Sequence, residues 1–192
     1  MKNCYLSLFI FCFLMMQNAL AQRKTPEQMR VDSILKETRN FSKDYLIFSS
    51  IDDKGNPVSS DSLKGFNVFY VFGNSQCPPC LGLAKTIKAI VDERRYEGRN
   101  IKFAFVTNDD KKGISRLLKI HKLNFDYIIS MSTSQMQQTG LIYIVKPTYI
   151  LVDKNGKVVF KNIGFPDDLK TAKEVFEKRI VPEINRLLED TN

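Results

Sequence analysis

The chain predicts an α/β sandwich, a mixed central sheet flanked by helices, and three observations point to it. Strand-like and helix-like segments alternate along most of its length. The run Phe66-Asn67-Val68-Phe69-Tyr70-Val71-Phe72 is too uniformly apolar for a half-exposed strand, which places it mid-sheet with both faces covered. Directly after it, Cys77-Pro78-Pro79-Cys80 leads into an amphipathic stretch over 81–95, so a strand feeds two cysteines into the first turn of a helix.

In chain order, residues 1–21 have the layout of a cleaved signal peptide. Lys2 supplies a positive start, 6–16 an apolar stretch and Ala19-Leu20-Ala21 a small-residue cleavage site. The apolar stretch is shorter than the about 20 residues a bilayer span requires. Cys12 follows Phe11 rather than the small residue of a lipoprotein signal, which argues against lipidation.

Residues 22–43 form an N-terminal helical extension. Thr25-Pro26-Glu27-Gln28 is a capping box with proline at the first helical position, and Val31, Ile34, Leu35, Thr38 and Phe41 fall on one face. The main domain spans 44–192. It opens with a short hairpin: apolar 46–51, the turn Asp52-Asp53-Lys54-Gly55-Asn56, then Pro57-Val58.

Beyond the cysteines, Leu83, Ala84, Ile87, Ile90 and Val91 recur at helical spacing. Residues 101–106 are the next strand, Ile114, Leu117 and Leu118 mark a helix, and 125–129 form a short strand or extended segment. The polar stretch 130–139 fits a loop or a short helix equally well. Residues 148–153, the Asn155-Gly156 turn and 157–160 form a second hairpin. Pro166-Asp167-Asp168 opens a final helix using Leu169, Val175, Phe176, Ile180, Ile184, Leu187 and Leu188, and Pro182 should kink or split it.

Composition narrows the function. At 43% hydrophobic residues the chain can bury one substantial core. The formal charge of +8 falls by one with loss of Lys2, and the remaining lysines are interleaved with acids, as in Lys170, Lys173, Glu174, Glu177 and Lys178. That is a solvated basic surface rather than a nucleic-acid stripe. Of four cysteines, Cys4 and Cys12 leave with the leader, so the mature chain holds only Cys77 and Cys80. Zinc needs about four ligands, and with His121 the only histidine no stable metal site is expected. His121 lies near the apolar face of its helix and reads as packed or partly exposed rather than catalytic.

An exported chain whose only thiols form one C-x-x-C carries a redox-active pair rather than a disulfide scaffold. The first thiol sits where unpaired backbone N–H groups stabilise a thiolate. The second lies one turn on, within reach of a small disulfide ring. The thiolate attacks other disulfides, so lowering its pKa activates the motif.

These residues carry a family likeness. The chain resembles the thioredoxin superfamily, and within it the exported TlpA/ResA-type thiol–disulfide oxidoreductases, over roughly 44–190. Asp52-Asp53-Lys54-Gly55-Asn56-Pro57-Val58 with Leu63-Lys64-Gly65 matches that family's opening hairpin, and Cys77-Pro78-Pro79-Cys80 its redox motif. Lys146-Pro147-Thr148 followed by 150–156 matches its cis-proline loop and closing hairpin. The resemblance implies a thioredoxin-like sandwich in which Cys77 is the exposed nucleophile and Cys80 the buried resolving thiol. Pro147 would be a cis-proline facing Cys77, in a loop (Lys146, Pro147, Thr148) that pairs with substrate, and Pro78 and Pro79 would be the motif spacer. It also implies partners that are protein disulfides or dithiols, a membrane thiol as electron donor, no further cofactor, and a soluble periplasmic location in a bacterium. Most such members act as reductants.

The chain departs from the pattern in four places. Gln76 stands where the family usually has Trp, and there is no Trp anywhere. Val71 and Leu83 occupy the two positions where many members place a buried proton acceptor for the second cysteine. Lys146 precedes the proline; near the Cys77 sulfur it would stabilise the thiolate and make the pair more oxidising, whereas pointing to solvent it would do nothing. Asn74 stands where a peroxiredoxin usually carries Thr, which weakens a peroxidase reading. The missing acid and Trp keep a non-catalytic binding module as the other alternative.

Overall fold

A computed structural model describes residues 45–139 and 147–189. The expected leader over 1–21, the helix over 22–43 and Lys146 lie outside the described residues.

The strands are β1 (Ser49–Asp52), β2 (Pro57–Ser59), β3 (Asn67–Gly73), β4 (Ile101–Thr107), β5 (Tyr127–Ser130), β6 (Thr148–Val152) and β7 (Val158–Ile163). They form one sheet in the order β2-β1-β5-β4-β3-β6-β7. Strands β3, β4 and β5 run parallel, and the two hairpins complete the sheet with antiparallel pairings. The mixed sheet and its flanking helices make a thioredoxin-like fold. The uniformly apolar run is an interior strand, between β4 and β6, with every residue of β3 buried. Phe66 falls outside it: 39% exposed, it lies beneath the Lys102 ammonium, 5.5 Å from the ring centroid.

The strand period of two sorts side chains onto two faces. Phe69 and Val71 of β3, Phe103 and Phe105 of β4, and Tyr149 and Leu151 of β6 share one core with the helices after β3, after β4 and at the C-terminus. Val68, Tyr70 and Phe72 join the other core with Leu46, Phe48, Val58, Leu63 and Met136. In the first hairpin Leu46 and Phe48 are buried while Ile47 and Ile51 are exposed, so this apolar stretch is covered on one face only.

The helices are α1 (Pro78–Asp92), α2 (Lys111–Lys119), α3 (Thr133–Gln138), α4 (Leu169–Val175) and α5 (Val181–Glu189), with a π-helical turn Phe176–Ile180 joining the last two. Helix α1 starts three residues earlier than its apolar pattern suggests, because Pro78 and Pro79 occupy its first two positions, where no N–H is needed. The stretch 130–139 resolves as helix α3. It has a full capping box, in which Ser132 accepts from the Gln135 N–H and the Gln135 side chain accepts from the Ser132 N–H.

Pro182 does split the final helix. A proline there has no N–H to give and its ring crowds the carbonyl of Lys178. The π turn immediately before it widens the spiral while keeping Phe176 and Ile180 fully buried. Two residues assigned to apolar faces point elsewhere: Leu118 is turned outward on α2, and Leu169 is 56% exposed in the first turn of α4. The Asp168 carboxylate caps that turn by accepting the Thr171 N–H.

Candidate active site

Cys77 and Cys80 lie at the carboxyl ends of the parallel strands, where open α/β sheets bind their ligands. They form a disulfide with Cα atoms 5.2 Å apart. Cys77 is the N-cap of α1 and half-buried; Cys80, one turn in, is 0% exposed.

The backbone N–H groups around the pair have a nearly complete accounting. The Ser75 N–H donates to the Asp109 carboxylate at 2.7 Å, and the Gln76 N–H to the Asn74 side-chain oxygen at 3.1 Å. The Cys77 N–H closes a turn onto the Asn74 carbonyl at 3.3 Å, and the Leu81 N–H donates to the Cys77 carbonyl at 3.0 Å. Pro78 and Pro79 have none to give. One donor of the first turn remains, the Cys80 N–H, and it points at Cys77 Sγ, 3.3 Å away. The two prolines thus leave one amide directed at the Cys77 sulfur, where a thiolate would gain a charge-assisted hydrogen bond. Asn74, at the position where a peroxidase reading would want Thr, is occupied in building this turn.

The two positions expected to hold a buried acid are apolar and inside the core. Val71 and Leu83 are both 0% exposed and belong to the same core as Phe105. Gly73 is required by the fit: a Cβ there would lie 2.8 Å from Cys80 Cβ and 3.0 Å from both its Sγ and the Phe105 ring. Gly82, one turn into α1, lets the chain at Pro166 approach, since a Cβ would meet the Pro166 carbonyl at 2.9 Å.

Pro147 and Thr148 reach the same end of the sheet. Thr148 pairs with Phe72 in the β3/β6 ladder, which sets Pro147 one step on, opposite the end of β3. Pro147 is buried, and its carbonyl accepts the Gly164 N–H at 2.8 Å. His121 lies away from this cluster, half-buried after α2; burial, then the charges of Lys85 and Arg116, hold its pKa below the usual imidazole value.

Sequence reasoning missed Gly73, Ser75 and Asp109. A signal for Asp109 existed: Asp109-Asp110 directly follows a parallel strand, and only one of two such acids can cap the next helix. Asp110 does so, accepting the Gly113 N–H at 2.8 Å, which leaves Asp109 for another task.

A disulfide capping the helix that follows the buried strand β3 of this sheet is the working end of a thioredoxin-like thiol–disulfide oxidoreductase. The Redoxin family matches residues 35–176, and the chain belongs to that family. It is 26% identical over 147 residues to the thiol–disulfide oxidoreductase ResA of Bacillus cereus, a match spanning 77% of this chain and 82% of the relative. Among solved structures it is similar to the thioredoxin domain of a thiol–disulfide oxidoreductase from Bacteroides vulgatus, with TM-score 0.56, 22% identity and coverage of 72% and 96% of the two chains. StoA from Bacillus subtilis gives TM-score 0.53 at 23% identity, covering 68% and 94%. At these identities the two structures bear on the fold alone. Family, curated relative and redox pair together make the chain a thiol–disulfide oxidoreductase of the ResA type.

Proposed function

We propose that the chain is exported behind a leader over 1–21 and serves in a bacterial periplasm as a reductant of partner-protein disulfides. The contrast between the two sulfurs supports this most directly: Cys77 is partly open and faces an amide donor, whereas Cys80 is fully enclosed. In the reducing direction the Cys77 thiolate attacks a partner disulfide, forming a mixed disulfide and expelling one partner thiolate. Cys80, once deprotonated, attacks the Cys77 sulfur, closes the 77–80 disulfide and releases the second partner thiolate. Two electrons pass to the partner, and a membrane thiol donor would return them. Pro147 and Thr148 would flank the bound partner segment beside Cys77.

The reduction potential of the pair tests this reading. The full chain, with Cys4 and Cys12 replaced by serine, is equilibrated in thiol–disulfide buffers and its free thiols trapped. A value near about −270 mV supports a reductant, and one near about −120 mV makes the chain a disulfide donor instead. The apolar, fully buried residues at 71 and 83, where a proton acceptor would stand, favour one second reading, a binding module that holds partners without turnover. A pair that never cycles would select it.

A further inference from the structure

The Asp109 carboxylate ties the Ser75 loop to the end of β4. It accepts the Ser75 N–H at 2.7 Å, the Ser75 hydroxyl at 3.1 Å and the Thr107 hydroxyl at 2.8 Å. Thr107 is fully buried, Ser75 is buried, and the Thr107 oxygen accepts the Asp109 N–H at 3.1 Å in return. Thr107 also pairs with Gly73 across β3 and β4, so the anchor stands on the strand next to the one that delivers the cysteines.

The seat for Asp109 is made by Gly113 in α2. A Cβ at Gly113 would lie 2.6 Å from Asp109 Cβ and 2.8 Å from its carboxyl carbon, closer than side chains can approach. Gly113 has no positive-φ requirement, and its N–H is already used by Asp110. Space for Asp109 is what a glycine provides here.

Ser75 stands two residues before Cys77, with only Gln76 between them, inside the turn that the Cys77 N–H closes onto the Asn74 carbonyl. Held at Ser75, the loop keeps the Cys77 sulfur beside Cys80 even when the disulfide is open. That raises the effective concentration of one thiol toward the other and favours ring closure. Resting on the oxidoreductase reading above, we propose that Asp109 is a positioning residue for the redox pair. Seated on Gly113 and bonded to Ser75, it sets the dithiol–disulfide equilibrium of Cys77 and Cys80.

The equilibrium is read against glutathione: protein dithiol plus glutathione disulfide gives protein disulfide plus two glutathione thiols. The reference is the full chain with Cys4→Ser and Cys12→Ser, in which Cys77 and Cys80 are the only thiols. Asp109→Ala lowers the equilibrium constant about tenfold, which is about 30 mV toward the oxidising side. Gly113→Ala moves it the same way with the carboxylate still present, by pushing Asp109 off Ser75. Asp109→Asn stays within about threefold, since an amide oxygen still accepts the Ser75 N–H and both hydroxyls can rotate.

Ser75→Ala removes a single hydroxyl bond and shifts the constant about threefold, which provides a test should the Asp109 or Gly113 variants fail to fold. Unchanged constants in folded Asp109→Ala and Gly113→Ala overturn the inference, as does an unchanged Ser75→Ala. An Asp109→Asn shift as large as that of Asp109→Ala would assign the effect to charge and also overturn it. Failure of the reference chain itself to cycle would instead remove the oxidoreductase reading, so the two failures are separable.

Discussion

The two ends of one disulfide sit in opposite surroundings. Around Cys77 the loop is polar and tied: the N–H groups of Ser75, Gln76 and Cys77 each have an acceptor, and the Cys80 amide points at the sulfur. Cys80 by contrast is fully buried and fits tightly at Gly73, where a Cβ would press on both its sulfur and the Phe105 ring, and Val71 and Leu83 are buried in the apolar core that holds Phe105. A small ring of four residues thus joins a place suited to a thiolate to one that disfavours charge. On the proposed reading this difference separates the roles, since attack needs access and an ionised sulfur, while release needs only reach along the helix turn.

Exchanging the cysteines breaks the comparison most severely. Cys77→Ser abolishes turnover of a protein disulfide such as that of insulin. Cys80→Ser keeps attack but not release, so partner accumulates as a mixed disulfide seen as a mass shift on non-reducing gels. Equal behaviour of the two variants would remove the division of labour.

Next in size is a base beneath Cys80. Leu83→Glu puts a carboxyl where the pocket is apolar and should speed release of the Cys77 mixed disulfide about a hundredfold, the scale of a positioned general base. Stopped-flow thiol release measures it, and an unchanged rate would mean that deprotonation of Cys80 does not limit the step.

Gly73→Ala probes fit alone. Its Cβ would press on Cys80 and Phe105, and overpacking of this kind costs about 1–3 kcal/mol in denaturant unfolding. A neutral effect would show that the strand end yields easily.

The smallest effect lies outside the site. With the His121 pKa depressed by burial and by the Lys85 and Arg116 charges, the unfolded chain binds more protons as pH falls. Stability present above the ordinary value of 6.5 is therefore lost as pH drops through it toward the folded pKa. Denaturant midpoints at pH 7.5 and 5 should differ less in His121→Gln than in the parent chain.

Much of the fold was legible because its signals are local. The Asn155-Gly156 turn, the capping aspartate before α4 and the uniformly apolar run all act within a few residues, through hydrogen bonds or side-chain periodicity. Helix α3 carries a local signal of the same kind, the capping box of Ser132 with Gln135. Leu118 and Leu169 misled because an apolar side chain at helical spacing is buried only if something packs there, and spacing does not say what does.

The candidate site divides the same way. The sequence by itself determined the redox pair, its two prolines, its place between strand and helix, and the absence of an acid at Val71 and Leu83, because these lie within one strand–turn–helix unit. Only the tertiary structure decided that Gly73 fits against Cys80 and that Asp109 reaches Ser75, 34 residues earlier in the chain. Those contacts depend on β3 and β4 lying side by side with Gly73 opposite Thr107, a pairing set by burial of both strands and by no short-range signal in either.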